Sequence, residues 1–244
     1  MPTISLVAGF ISWQAVVMSH RFNLLLVPAP IEVVGAMEKI ITSQIGIGHI
    51  LGTLARAGVG LMVGTALGII SGVVMAIQRP VRQVAWGWVE FVRSIPAPAL
   101  MPLSLLLWGV GELSKIILII VIVALLMIVN TVSAIDNRSP LRQMVGLSLG
   151  FKKFELWRRV MLPEALPQLS TGFRLAISLA LIITVVSEMV MGTSHGIGRA
   201  ILDAELTYET PTMYAYIILA GLIGYGANAI YNYFEQKYIH WKGK

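Results

Sequence analysis

The chain has 244 residues, of which 57% are hydrophobic and 12% charged, against roughly a quarter charged in an ordinary soluble domain. Its mean hydropathy of +0.81 leaves too little polar surface to cover a water-soluble globule, so the bilayer is the expected solvent. Cysteine is absent, which excludes disulfide frameworks, thiolate nucleophiles and Cys-ligated metal centres. The four histidines, His20, His49, His195 and His240, lack the short spacing of a ligand set, and no metal is expected. A net charge of +6 would suggest nucleic acid in a soluble protein. In so apolar a chain it reads as cytoplasmic loops facing anionic headgroups, with no nucleic-acid partner.

A helix crossing a hydrocarbon core about 30 Å thick needs about 20 mostly apolar residues. Pro2 to Ser19, Ala57 to Gln78, Ile116 to Ile135 and Thr210 to Phe234 each carry no formal charge. A fifth span, Ser170 to Gly192, contains Arg174 and Glu188, polar groups that at such depth must face protein or water. Between Val81 and Val110, Arg82, Glu90 and Arg93 enter the first half, while Pro96, Pro98 and Pro102 break the second. This stretch is read as one span followed by a discontinuous or re-entrant segment ending before Gly109 and Gly111. The fold expected is therefore an all-α membrane protein of about six transmembrane helices, one transmembrane domain over residues 1–244.

Six spans place both termini on one side. Arg79, Arg82, Arg138, Arg142, Lys152, Lys153, Arg158, Arg159, Lys237, Lys242 and Lys244 fall on that side, against chiefly Arg21, Lys39 and Arg199 opposite. The termini and the long loop before the fifth span are therefore expected to be cytoplasmic. The first segment lacks a positive n-region and a clear cleavage site, and is read as a retained span. Gly60, Gly64, Gly68, Gly72 and Ala76 recur every fourth residue and make a small-residue packing seam along one helix face. Ala220, Gly224 and Asn228 suggest a shorter seam, in which Asn228 either donates a hydrogen bond across helices or lines a path.

The loop over residues 137–167 is patterned. Ser139 is a favourable N-cap, Pro140 suits the first helical position, and Leu141, Val145 and Leu149 repeat at helical spacing before Gly150 stops the helix in a left-handed conformation. A second helix then carries Phe151, Phe154, Trp157 and Met161 on one side and Lys152, Lys153, Arg158 and Arg159 off it, until Pro163 and Pro167 end it. On amphipathicity alone, this helix–turn–helix suits a lipid surface or a docked protein equally.

The loop resembles the cytoplasmic signature of the inner-membrane permeases of ATP-binding-cassette importers: Glu-Ala-Ala, three residues, Gly, nine residues, Ile-x-Leu-Pro. Here Gly150 is followed by nine residues and then Val160, Met161, Leu162 and Pro163, whereas Met144, Val145 and Gly146 stand at the Glu-Ala-Ala positions. The segments LLVPAPIEV (24–32), RSIPAPALMPLSLLLWGVGELSK (93–115) and VVSEMVMGTSHGIG (185–198) are similar to those of the nitrate, sulfonate, taurine and bicarbonate branch. The resemblance runs from about Leu24 to Phe234.

The resemblance implies a permease subunit forming a translocation path with a second copy of itself, coupled to a cytoplasmic ATPase dimer and fed by an extracytoplasmic substrate-binding protein. The substrate implied is a small anion such as a sulfonate or nitrate, and the location is the bacterial inner membrane. The coupling segment would comprise Met144, Val145, Gly146, Gly150, Phe151, Lys152, Lys153, Val160, Leu162 and Pro163. Since Met144 lacks the carboxylate of the signature, its contact would be apolar. No phosphate-binding G-x-x-x-x-G-K-[ST] motif is present, so the chain carries no cofactor and no catalytic residue, and ATP and Mg belong to the partner. Candidate path or interface residues are Arg56, Glu188 and Asn228, ionisable or polar groups in or beside apolar segments, whereas Arg174 is expected to snorkel toward the cytoplasmic end. The alternative is a secondary transporter driven by an ion gradient, with Glu188 and the broken segment as its coupling elements.

Overall fold

The structure, a computed structural model, describes residues 2–19 and 26–239. His20, Arg21, His240, Lys242 and Lys244 lie outside the described residues, as does the start of the 24–32 segment, and the Lys153 side chain is likewise outside the description. The described chain is helical throughout. In order come α1 (Pro2–Met18), α2 (Pro30–Thr42), α3 (Gln44–Ile77), α4 (Arg79–Ser94), a 3-10 turn (Ala97–Leu100), α5 (Met101–Trp108), α6 (Glu112–Asp136), α7 (Pro140–Ser148), α8 (Lys153–Leu156), a π turn (Trp157–Met161), α9 (Leu162–Met191), α10 (Ile197–Leu206) and α11 (Thr210–Tyr238).

Among the described residues, four helices are long and apolar enough to cross a bilayer: Gln44–Ile77, Glu112–Asp136, Phe154–Met191 and Thr210–Tyr238. A fifth crossing would come from α4 together with Ala97–Trp108, a pair bent by 101°. Against the expected six, four helices, or five spans with the bent pair, meet this length and composition, α1 being a shorter apolar helix of 17 residues. The proline-rich break is where the sequence placed it. Pro98 and Pro102 each sit at the start of a short helix, where a missing N–H costs no intrahelical bond.

The chain gathers into two compact units, Met1–Ala55 with Val185–Ile223, and Arg56–Thr184 with Gly224–Lys244. In the first, α2 and α10 lay Val33, Ile40, Ile197 and Ile201 against Ala215 and Leu219 of α11 in one apolar cluster. Neither α2 nor α10 is expected from the sequence, because each is too short to stand out from the apolar background. Ala29 donates its N–H to Glu32 at 3.0 Å, half of a capping box whose other half alanine cannot supply.

In the second unit the four-residue glycine repeat of α3 meets α6. A Cβ added at Gly60 would lie 2.3 Å from Ile119, at Gly64 2.8 Å from the Ile120 carbonyl, at Gly68 2.7 Å from the Ala124 carbonyl, and at Gly72 3.0 Å from the Ile128 carbonyl. Four successive turns of α3 therefore rest almost backbone to backbone on α6, as small residues allow in lipid. Of the shorter row, Gly224 faces Leu181 of α9, where a Cβ would lie 3.1 Å from its Cδ2.

Candidate functional site

The helical hairpin over residues 140–161 is made by two local devices. At the end of α7, Gly150 takes φ +78; its N–H reaches the Leu147 carbonyl at 2.9 Å, and the Phe151 N–H reaches the Gly146 carbonyl at 3.1 Å. This pair of bonds is a Schellman ending, which satisfies the last carbonyls of α7 and reverses the chain. Nothing lies within 4 Å of a Cβ at Gly150, so the glycine is required by backbone conformation and not by space. The second arm begins at Lys153 and not directly after the turn, and Glu155 caps it by accepting the Lys152 N–H at 3.2 Å.

The two arms cross at Gly146, which is buried and where a Cβ would lie 2.5 Å from Leu156 Cδ1 and 3.5 Å from Phe151. Its Schellman partner Phe151 also carries the Arg159 guanidinium over its ring at 5.4 Å.

Two expectations change here, and a third feature of the hairpin stands open. Ser139 precedes α7 but makes no side-chain cap; its N–H instead donates to Glu164 Oε1 at 2.9 Å, which also pairs with Arg142 at 3.4 Å. Thus a carboxylate of α9 holds the N-terminus of α7, where negative charge suits the helix dipole. Burial pushes the neighbouring Arg138 guanidinium below its ordinary pKa, opposed by Asp136 and Glu164. Second, Pro163 and Pro167 do not end the second helix, which continues to Met191. The π turn, in which the Leu162 N–H bonds to the Trp157 carbonyl, widens the helix just before Pro163, where a tight turn would meet the proline ring. Third, the apolar row is unfilled: Leu141, Met144, Val145 and Leu149 are exposed, Met144 at 63%. A groove of about 420 Å³ runs between the arms, lined by Leu141, Val145, Phe151 and Val160 with Arg142 and Arg159 at its rim. Lys152 is exposed, and Val160, Leu162 and Pro163 are half-buried.

The polar residues singled out within the spans are all engaged. Arg56 pairs with Glu112, which also pairs with Lys115 at 3.3 Å; the two cations are 8% and 2% exposed. Glu188 is fully buried. Thr53 Oγ1 lies 2.9 Å from both its oxygens, and the Gly198 N–H donates to it at 2.9 Å. Thr53 in turn accepts the Ile197 N–H at 2.8 Å, so this carboxylate and hydroxyl together hold the first turn of α10. A Cβ at Gly198 would lie 2.1 Å from the Val185 carbonyl, which accounts for a glycine at that point of the 185–198 segment. Asn228 donates across to Ser178 of α9 at 2.9 Å. Arg174 does not simply snorkel: it pairs with the buried Glu235.

These long apolar helices and the glycine seam define a polytopic membrane protein. Residues 64–240 match the binding-protein-dependent transport system inner membrane component family, and the chain belongs to it. It is 28% identical to the Bacillus subtilis (strain 168) permease SsuC, whose name refers to aliphatic sulfonates transport, over 94% of this chain and 83% of that one. It is 25% identical to the taurine transport system permease protein TauC of Escherichia coli (strain K12), over 95% and 86% of the two chains. Its fold is similar to a chain of the inward-facing MetNI methionine ABC transporter, with a TM-score of 0.68, 18% identity, and coverage of 81% of this chain and 96% of that one. The protein is an inner-membrane permease component of an ATP-binding-cassette importer.

Proposed function

We propose that two copies of this chain enclose a path for a small sulfonate-type anion, with both termini cytoplasmic. An extracytoplasmic binding protein delivers the solute, and an ATPase dimer that binds ATP and Mg docks on the two hairpins. The observation that carries this reading is the hairpin: a rigidly reversed pair of helices whose outer row, Leu141, Met144, Val145 and Leu149, is apolar and uncovered. An unfilled apolar row of this kind suits a partner subunit, and the names of the sulfonate and taurine relatives support the substrate class. The contact would involve Met144 to Gly146, Gly150 to Lys153, Val160, Leu162 and Pro163. Closure of the ATPases would draw the hairpins together and shift the spans from inward-open to outward-open, a population change driven by nucleotide's unequal affinity for the two states.

The test is reconstitution with a cassette ATPase and binding protein in proteoliposomes, following labelled taurine and phosphate together. Uptake should require ATP hydrolysis. Uptake by the permease alone under a proton or sodium gradient would overturn the reading.

A further inference from the structure

The proposed path needs a place where an anion meets a counter-charge, and none of Arg56, Glu188 and Asn228 supplies one: each is engaged in holding helices together. The break between α4 and α5 offers a better site. A cavity of about 360 Å³ opens there, lined by Arg93, Ser94, Pro96 and Ala97 on one side and by Ile122 and Leu179 on the other.

Its depth follows from two helices. At the start of α4, Arg82 pairs with Asp136, the last residue of α6, at 2.7 Å. Arg93 lies eleven residues further along, about 16 Å at 1.5 Å per residue, or roughly half of a 30 Å hydrocarbon core. The α6 residues lining the cavity, Ile122, Leu125 and Leu126, likewise surround the centre of that 25-residue helix. A charge at mid-depth belongs beside protein or water, not lipid. Arg93 is 50% exposed, and Glu90, its partner at 2.6 Å, is 36% exposed, so the pair is accessible to a solute in a way the buried Arg56 is not.

We propose that this mid-depth cavity is the anion-binding segment of the translocation path and that Arg93 is its counter-charge, with Glu90 holding the guanidinium until an anionic headgroup of sulfonate type takes its place. This rests on the permease reading above and adds the residue that would select for anions. The bend supplies the opening, since three prolines prevent α4 from continuing through it, and the apolar wall of Ile122, Leu125, Leu126 and Leu179 suits a short alkyl tail.

The absence of cysteine allows a direct test in the assembled, reconstituted importer. Ser94→Cys places one thiol at the cavity wall, and its reaction is followed with two thiosulfonate reagents, the anionic sulfonatoethyl and the cationic trimethylammonioethyl methanethiosulfonate, each normalised to 2-mercaptoethanol. The anionic reagent should react about 10-fold faster or more, because the charged group lining the cavity is the Arg93 guanidinium, Glu90 lying outside that lining. Arg93→Gln should bring the ratio near one, Arg93→Lys should keep it, and Glu90→Gln should raise it. Millimolar taurine should slow the anionic reagent. An unreactive Ser94→Cys, or a ratio indifferent to Arg93→Gln in correctly assembled protein, would overturn the assignment. Neither result bears on whether wild-type uptake needs ATP, so failure of this site and failure of the importer reading are distinguishable.

Discussion

Two stretches pack on α6 and do opposite things there. The α3 helix presents glycine every fourth residue, and its backbone comes so close to α6 that added Cβ atoms would overlap Ile119, Val123, Met127 and Thr131. By contrast, α4 keeps ordinary side chains, burying Val89 beside Val132 of α6 and Met75 of α3, then breaks and leaves a cavity. The seam has no room for solute or water, whereas the break has room and a charge. Small residues in lipid produce rigidity because van der Waals contact grows as backbones approach. Prolines produce openness because they remove the hydrogen bonds that would keep the chain straight.

If that contrast holds, Gly68→Leu should have the largest effect among these substitutions. Its Cβ would lie 2.7 Å from the Ala124 carbonyl and 2.5 Å from Met127 Cβ, overlaps that only a backbone shift relieves. A loss of about 3 kcal/mol is expected, visible as a large drop in thermal stability in detergent. A wild-type melting curve would show that the seam is not rigid.

Gly150→Val should cost less, about 1–2 kcal/mol, because the position is sterically open and only its positive φ resists a β-branched residue. Its consequence is functional: hydrolysis should continue while uptake falls, measured as the ratio of taurine transported to phosphate released. Met144→Ala should weaken ATPase association by about 1 kcal/mol, roughly fivefold in Kd. That effect should depend little on salt between about 50 and 500 mM, since a thioether side chain brings no charge to the interface. Strong salt dependence would move the anchor to Lys152 or Lys153. Pro98→Ala should have the smallest effect, about 0.5 kcal/mol, acting through the freedom of the unfolded chain. A loss as large as that of Gly68→Leu would mean that the break is as tightly packed as the seam.

The parts of this protein legible in its sequence are those encoded within one or two helical turns. The four-residue glycine spacing predicts a seam, the prolines predict the break, and Gly150 predicts a left-handed stop; each depends on neighbours in the chain. The features that local pattern misses depend on distant residues. The N-terminus of α7 at Ser139 is held by Glu164 and not by the serine hydroxyl, and Glu188 serves Thr53, 135 positions away, and α10. Arg93 carries a signal, an arginine two residues before an isoleucine and then a proline in an apolar stretch, but its neighbours across the cavity are Ile122 and Leu179, which no local pattern connects to it.

Composition and hydropathy alone determined that the chain is helical and resides in a bilayer, because backbone polar groups in hydrocarbon must bond within their own segment. The signature around Gly150, taken together with the segments at 24–32, 93–115 and 185–198, placed the chain among importer permeases. Only the tertiary structure decided which charges are structural and which are accessible. The cost of burying a charge depends on its partner in space, and pairs such as Arg56 with Glu112 and Arg174 with Glu235 are brought together by helix packing and not by position in the chain.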